Sequence, residues 1–484
     1  MKIAKIEVCD FRGFPGEAVY TFEFGTARNL FIYGENGSGK SSLFCAIREF
    51  FNMAHDRKPF AYHKNTLDPN LTSGHITVHY DDGSVQSWRY GANRPHDQLP
   101  TSQTRLSVGC IDYRSLLETN FTQRGDKVNL FEIAIGHLVP NRETFLDGSS
   151  RTIRERWSAI DLPYRRTQSA VERCNRAVSR FNNAFDPLVA PLIEKATELL
   201  AKFPGPTLEL GATFELVHYD SPNRRLAPKD LMLSVRVNGT DVLSHHNILN
   251  EARLSAIGLV IYLAGLLTSF PGTRAYPKLL VLDDVIVGLD MANRLPVLSI
   301  LQDYFSDWQI VLLTHDRVWY EMVQVDMEAT HLKTDDWRAY EMWLAMDGIT
   351  PVVCTRKDSG DFTFFLSRAR EYLNANDFRA AGVYARAAFE AKLKSRCDKK
   401  AIPVPYQKPP KHIDAEKFWN AAIKHSLGLA ANDQVKKRAL GMHFRDVYRC
   451  KKVVLNPLSH STSQPVTRPD IQAAIDAVEN LRFE

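Results

Sequence analysis

With 484 residues and 44% hydrophobic content, the chain has apolar material for two or three cores rather than one. Its net charge of +5 is mild for that length, and the reading finds no apolar run near the roughly 20 residues of a membrane span. A globular cytoplasmic protein without membrane association is expected. The opening "MKIAKIEVCDFRGF" alternates like a strand, where a signal peptide would need a continuous apolar stretch. Seven cysteines (Cys9, Cys45, Cys110, Cys174, Cys354, Cys397, Cys450) are scattered and never in CxxC spacing, which predicts reduced, packed thiols and neither a disulfide framework nor a zinc site.

In chain order, "RNLFIY" predicts a buried strand and "SSLFCAIREFF" a helix, with a glycine-rich turn between them. "ITVHYDDGSVQSWRYGA" and "RLSVGCIDYRSLL" alternate like strands. Residues 149–203 have helical spacing among many charges, with breaks expected at Pro163, Pro187 and Pro191. Strands return in "TLELGATFELVHY" and "DLMLSVRVNG", followed by the helix "LNEARLSAIGLVIYLAGLL" and the strands "LLVLDD" and "VLLTHD". Beyond about Pro351 the pattern is helical, with "AIPVPYQKPPKH" as its one clear loop. Four segments result: 1–148, 149–203 as a short helical arm, 204–350, and 351–484 as a helical C-terminal domain.

The turn carries the chemistry. Gly34-x-x-x-x-Gly39-Lys40-Ser41 is phosphate-loop spacing, so Asn36, Gly37, Ser38, Gly39, Lys40, Ser41 and Ser42 are expected around the phosphates of ATP. Lys40 reaches the outer phosphates, and the Ser41 hydroxyl is placed to ligate Mg²⁺. The strand ending in Asp283 and Asp284 supplies a second Mg²⁺ ligand and a carboxylate for the attacking water. His315, ending the next strand, is placed to meet the γ-phosphate.

This order of motifs is that of the ABC-type ATPases, and "GENGSGKSS" resembles the Rad50/RecF/SMC branch that serves recombination and chromosome maintenance. The resemblance covers about residues 1–60 and 240–325. It implies an α/β ABC-type ATPase head of mixed sheets and helices, a short helical arm insert and an all-α C-terminal bundle. Leu249, Asn250, Glu251, Ala252 and Arg253 stand where the family has its Leu-Ser-Gly-Gly-Gln signature, and Asp290 in "VGLDMANR" would be the D-loop aspartate. In the family the signature closes over a second subunit's ATP, which implies a homodimer or higher homo-oligomer, with Asn250 and Glu251 at the shared nucleotide. Asp284 replaces the family's glutamate. A carboxylate one methylene short implies slow turnover, by a factor on the order of 10².

The compact head and helical tail resemble the ATPase subunits of bacterial anti-phage systems of the Septu kind, which implies an HNH-type nuclease partner. Residues 377–453 hold 18 Lys/Arg against 7 Asp/Glu, so nucleic acid is expected as a further partner. Asn456 and His460 resemble the Arg-Asn-x-x-x-His motif of HEPN ribonucleases, but Leu455 stands where the motif has arginine. A packing role is the expectation for the pair, and a ribonuclease toxin the alternative. A RecF-like or Rad50-like repair ATPase is the other alternative.

Overall fold

The computed structural model describes residues 2–25, 28–51, 58–93, 107–116, 123–124, 127–165, 167–242, 245–269, 278–329, 336–355, 362–404, 415–451 and 467–483. It divides into one unit over residues 1–353 and a second over 354–484.

In the first unit, β1 (Ile3–Cys9), β2 (Tyr20–Glu23), β4 (His75–Tyr80) and β5 (Val85–Arg89) make a four-stranded antiparallel sheet ordered β2-β1-β4-β5. A second sheet contains β3 (Asn29–Gly34), β6 (Val108–Asp112), β12 (Leu279–Asp283), β13 (Gln309–Thr314), β14 (Trp337–Leu344) and β15 (Pro351–Thr355), ordered β15-β14-β3-β13-β12-β6. From β14 to β6 its neighbours run parallel. A parallel sheet is covered on both faces, and the inner strands β3, β12 and β13 are mostly apolar. Leu30, Ile32, Val281, Val311 and Leu313 face a core shared with the antiparallel sheet and helix α1 (Lys40–Phe50). Their neighbours Phe31, Leu280, Leu282, Ile310 and Leu312 face the opposite core. The buried Gln309 carboxamide ties the sheets, accepting from Ile3 N at 2.6 Å and donating to Ile3 O at 3.0 Å.

The opposite core is closed by α3 (Gln168–Leu200), α4 (Glu251–Ser269), α5 (Met291–Tyr304) and α6 (Arg317–Ala329). A three-stranded sheet of β9 (Leu208–Glu215), β10 (Asp230–Val237) and β11 (Thr240–Val242) packs with them. Between β6 and α3 lie the hairpin β7 (Glu143–Leu146) and β8 (Ser149–Thr152) and the short helix α2 (Ile153–Ser158), which a Thr152–Glu155 capping box opens.

Three expectations are corrected. Residues 149–203 do not stand out as an arm: they begin in a strand, and α3 buries side chains from Cys174 to Leu200 against α4 and β9. Pro187 and Pro191 do not break α3, because the burial of Val189, Leu192 and Ile193 beside them outweighs the lost backbone hydrogen bonds. The helical tail does not start at residue 351, since the β-branched "PVVCT" forms an outer strand of the parallel sheet. The apolar-run reading also missed one stretch. Glu251–Ser269 is long and apolar enough to span a membrane, yet 83% of it is buried inside the protein, as suits a core helix.

The second unit is a bundle of α7 (Phe362–Asn374), α8 (Phe378–Lys399), α9 (Ala415–Leu429), α10 (Gln434–Cys450) and α11 (Arg468–Glu479). Buried Ala381, Ala385 and Ala388 let neighbours approach α8 closely, and Trp419 packs between Phe389 and Phe444 at ring-centroid separations of 5.4 and 5.9 Å. Asp377 and Asp433 cap α8 and α10 through backbone N–H groups at 2.9 Å. All seven cysteines are free thiols.

Gly265 in α4 tests how closely that helix is held. A methyl group there gains about 1 kcal/mol in helix propensity, but it would stand 2.6 Å from the backbone oxygen of Leu138. Gly265→Ala is expected to lower stability by about 1–3 kcal/mol, read as a lower denaturant midpoint at unchanged slope.

Candidate active site

The site lies at the carboxyl ends of β3, β12 and β13, where open parallel sheets place their ligands. β3 ends at Gly34, the chain turns through residues 35–39, and α1 starts at Lys40. The glycines are needed for shape. A Cβ on Gly34 would come 2.4 Å from Ser38 Oγ, while Gly37 and Gly39 have φ of +88° and +99°. Gly39 is also the N-cap of α1 and has no side chain to occupy the first-turn N–H groups, so they remain for an anion.

Lys40 is buried, and its Nζ donates to Gly34 O at 2.6 Å and Glu35 O at 3.0 Å. Burial pushes its pKa down, while Asp284, Asp283 and Glu35 push it back up. Asp283 responds in the opposite sense. Burial, then the neighbouring Asp284, raises its carboxyl to about 6 against the pull of Ser41 and Lys40. Its Oδ1 is buried without a hydrogen-bond partner among the described residues, and so is Ser38 Oγ. Two orphaned oxygens beside a glycine cradle are what a phosphate and its cation would satisfy. Ser41 and Asp283 thus fit Mg²⁺, and Ser38 with the loop fits the phosphates.

Asp284 sits just past the strand end with φ +53°, and its N–H donates to Leu313 O at 3.1 Å. One carboxylate oxygen, Oδ1, accepts from His315 N at 2.9 Å and lies 2.8 Å from His315 Nδ1. The structure therefore brings Lys40, Asp283, Asp284 and His315 into one cluster. Asp284 also bridges β12 to the end of β13.

Other expected residues have structural partners. The Ser42 hydroxyl accepts from Gly13 N at 3.0 Å and so anchors the turn after β1. Asp290 caps α5, its Oδ1 accepting from Asn293 N at 3.0 Å and Asn293 Nδ2 at 2.7 Å. Asn250 accepts from Arg253 N at 3.0 Å at the start of α4 and is exposed, as is Glu251. Arg253 is buried where Gly205, with φ +117°, leaves room for its guanidinium. Asn36 and Gly37 are exposed at the loop tip. Asn456 and His460 lie outside the described residues.

Sequence reasoning missed two features. Arg12, with φ +49° in the turn held by Ser42, is an exposed cation beside α1; the glycine after it in "DFRGF" was the available signal. Arg294 Nη1 meets Asp316 Oδ2 at 2.5 Å, and its Nε donates to Leu289 O at 2.8 Å, so the turn before α5 is tied to the segment after His315. Burial alone would raise the Asp316 carboxyl, but hydrogen bonds from Trp319 N and Arg294 hold it below its usual range.

Residues 5–84 match the AAA domain family model. The comparison with curated proteins gives no match. Among solved structures, the chain is similar to the SMC head domain from Thermotoga maritima, with 15% identity over 73% of this chain and 99% of that one, at a TM-score of 0.34. The Smc head with an extended coiled coil bound to the C-terminal domain of ScpA, derived from Pyrococcus furiosus, has 15% identity over 74% and 97%, at 0.39. The recombination mediator protein RecF with ATP has 14% identity over 73% and 98%, at 0.44. The AAA domain match, over residues 5–84, includes the phosphate loop.

Lys40→Ala removes the only side-chain cation of the loop. ATP affinity should fall by at least about a hundredfold, measured by equilibrium titration. Affinity within threefold of wild type would refute the assignment of this loop.

Proposed function

We propose that the chain is a slowly hydrolysing ATPase that dimerises around ATP and uses the bound state to control a partner nuclease in anti-phage defence. The observation that carries the reading is the cluster of Lys40, Asp283, Asp284 and His315 at the ends of adjacent parallel strands.

Lys40 and the loop N–H groups hold the outer phosphates, with the amine released from the Gly34 and Glu35 carbonyls as the anion replaces them. Ser41 and Asp283 hold Mg²⁺, which neutralises charge on the phosphate oxygens when bound. Asp284 takes the proton of the attacking water, and His315 fixes the orientation of its carboxylate through two contacts to one oxygen. The other oxygen of Asp284 is left for water.

The exposed start of α4 supports dimerisation: Asn250 and Glu251 stand at a helix N-terminus, where backbone N–H groups favour a γ-phosphate supplied across an interface. Exposed Lys436, Lys437, Arg438, Arg445 and Arg449 on α10 supply the cationic surface for nucleic acid. The nuclease partner and the defence role rest on the resemblance of motif order and domain plan to Septu-type ATPases, and a cytoplasmic location belongs with them.

Asp284→Asn should bind ATP at wild-type affinity and lose hydrolysis. Asp284→Glu should hydrolyse at least as fast as wild type; a tenfold slower rate would mean that the pairing with His315 sets the catalytic geometry. In the Asp284→Asn chain, ATP should convert a monomer to a dimer on gel filtration, and adding Glu251→Arg should abolish the dimer while ATP affinity stays unchanged. For the defence role, cells carrying the chain with its neighbouring genes should resist phage and lose resistance with Lys40→Ala. Equal plaque numbers in both would sink that role.

A further inference from the structure

Beside the edge strand β6 lies a cavity of about 370 Å³, at the lower end of the range for small-molecule sites. No residue of the phosphate loop lines it. Its walls are the last turns of α1, strand β6, the end of α4, and a single turn of π-helix at Ala134–Leu138. Such π turns are rare and concentrate at functional sites.

Among the described residues, Arg12, Arg48 and Lys58 line the cavity with one carboxylate, Glu49. Glu49 is buried and lies 3.6 Å from both Arg48 Nη2 and His63 Nε2, and it offsets at most one positive charge. Arg48 carries the sharper signal. Its Nε is buried with no hydrogen-bond partner among the described residues, although the side chain as a whole is partly exposed. Its remaining contacts are the Glu49 ion pair, a 3.9 Å approach to Cys45 Sγ and the face of Phe44. Cys110, on the strand that forms the wall, stays a neutral thiol, its pKa pushed up to about 12 by burial, and contributes no competing anion.

We infer that this cavity is a second ligand site, separate from the ATP site, that binds a small phosphate monoester of nucleoside-monophosphate size through Arg48 and Arg12. Three cations against one carboxylate suit a dianion, and a guanidinium fork matches phosphate oxygens two at a time. The rings of Tyr262 and His137, with centroids 6.4 Å apart and planes inclined at 55°, give the wall aromatic surface for the organic part. Arg48 lies eight residues beyond Lys40 on the same helix, about 12 Å along its axis, so both ligands would bind along α1 without overlapping.

The test is calorimetric titration of the full chain with AMP, inorganic phosphate and adenosine. It is run once on Lys40→Ala and once on wild type saturated with a non-hydrolysable ATP analogue, so a failure of the ATP assignment and a failure of this one remain distinguishable. AMP should bind at one site per chain in both settings, and inorganic phosphate should compete with it. Arg48→Gln should weaken AMP at least tenfold and Arg48→Lys by less, with ATP affinity unchanged in each. Absence of AMP binding in the ATP-saturated wild type, AMP affinity unaltered in Arg48→Gln, or adenosine binding as tightly as AMP would overturn the proposal.

Discussion

The requirement that a parallel sheet be buried on both faces governs this molecule. Along β3, β12 and β13, successive side chains go to opposite cores, so neither face has room for a charged group. Polar chemistry is displaced to the places where the strands end. Gly34, Asp283 and Thr314 close three adjacent strands, and the residues next to them form the candidate site.

That placement creates an electrostatic problem which the site solves by mutual compensation. Lys40 loses hydration on burial, and so does Asp283, but each lies in the field of the other. Asp284 stabilises the lysine and opposes Asp283, which leaves the Asp283 carboxyl near 6. The cluster is short of positive charge where Asp283 Oδ1 points and short of negative charge around the loop N–H groups. A magnesium–triphosphate complex would supply both.

Much of this was legible in the sequence because it is local. Glycine spacing around Lys40, the apolar run ending in Asp283-Asp284 and the run ending before His315 each report their own conformation. What escaped depends on distant packing. The Gly13–Ser42 contact joins residues from two elements, and Arg294–Asp316 joins a helix to a loop 22 positions away. Pro187 and Pro191 argued for breaks, and the core packed against α3 overruled them. "PVVCT" is too short to declare itself a strand until β14 is beside it. Asp290 was read as part of the nucleotide site from motif position alone; its hydrogen bonds within the chain are those of a helix cap.

Helix α4 has a consequence for synthesis of the chain. Nineteen residues that would pass for a membrane span leave the ribosome as one apolar stretch, and such a stretch invites aggregation or misrouting for as long as it stays uncovered. Of its helical neighbours, α3 and the π turn at Ala134–Leu138 precede it in the chain and α5 follows it. The order of elements therefore delivers part of the cover before the surface that needs it. A circular permutation that placed α3 after α4 would put that part of the cover behind the surface that needs it.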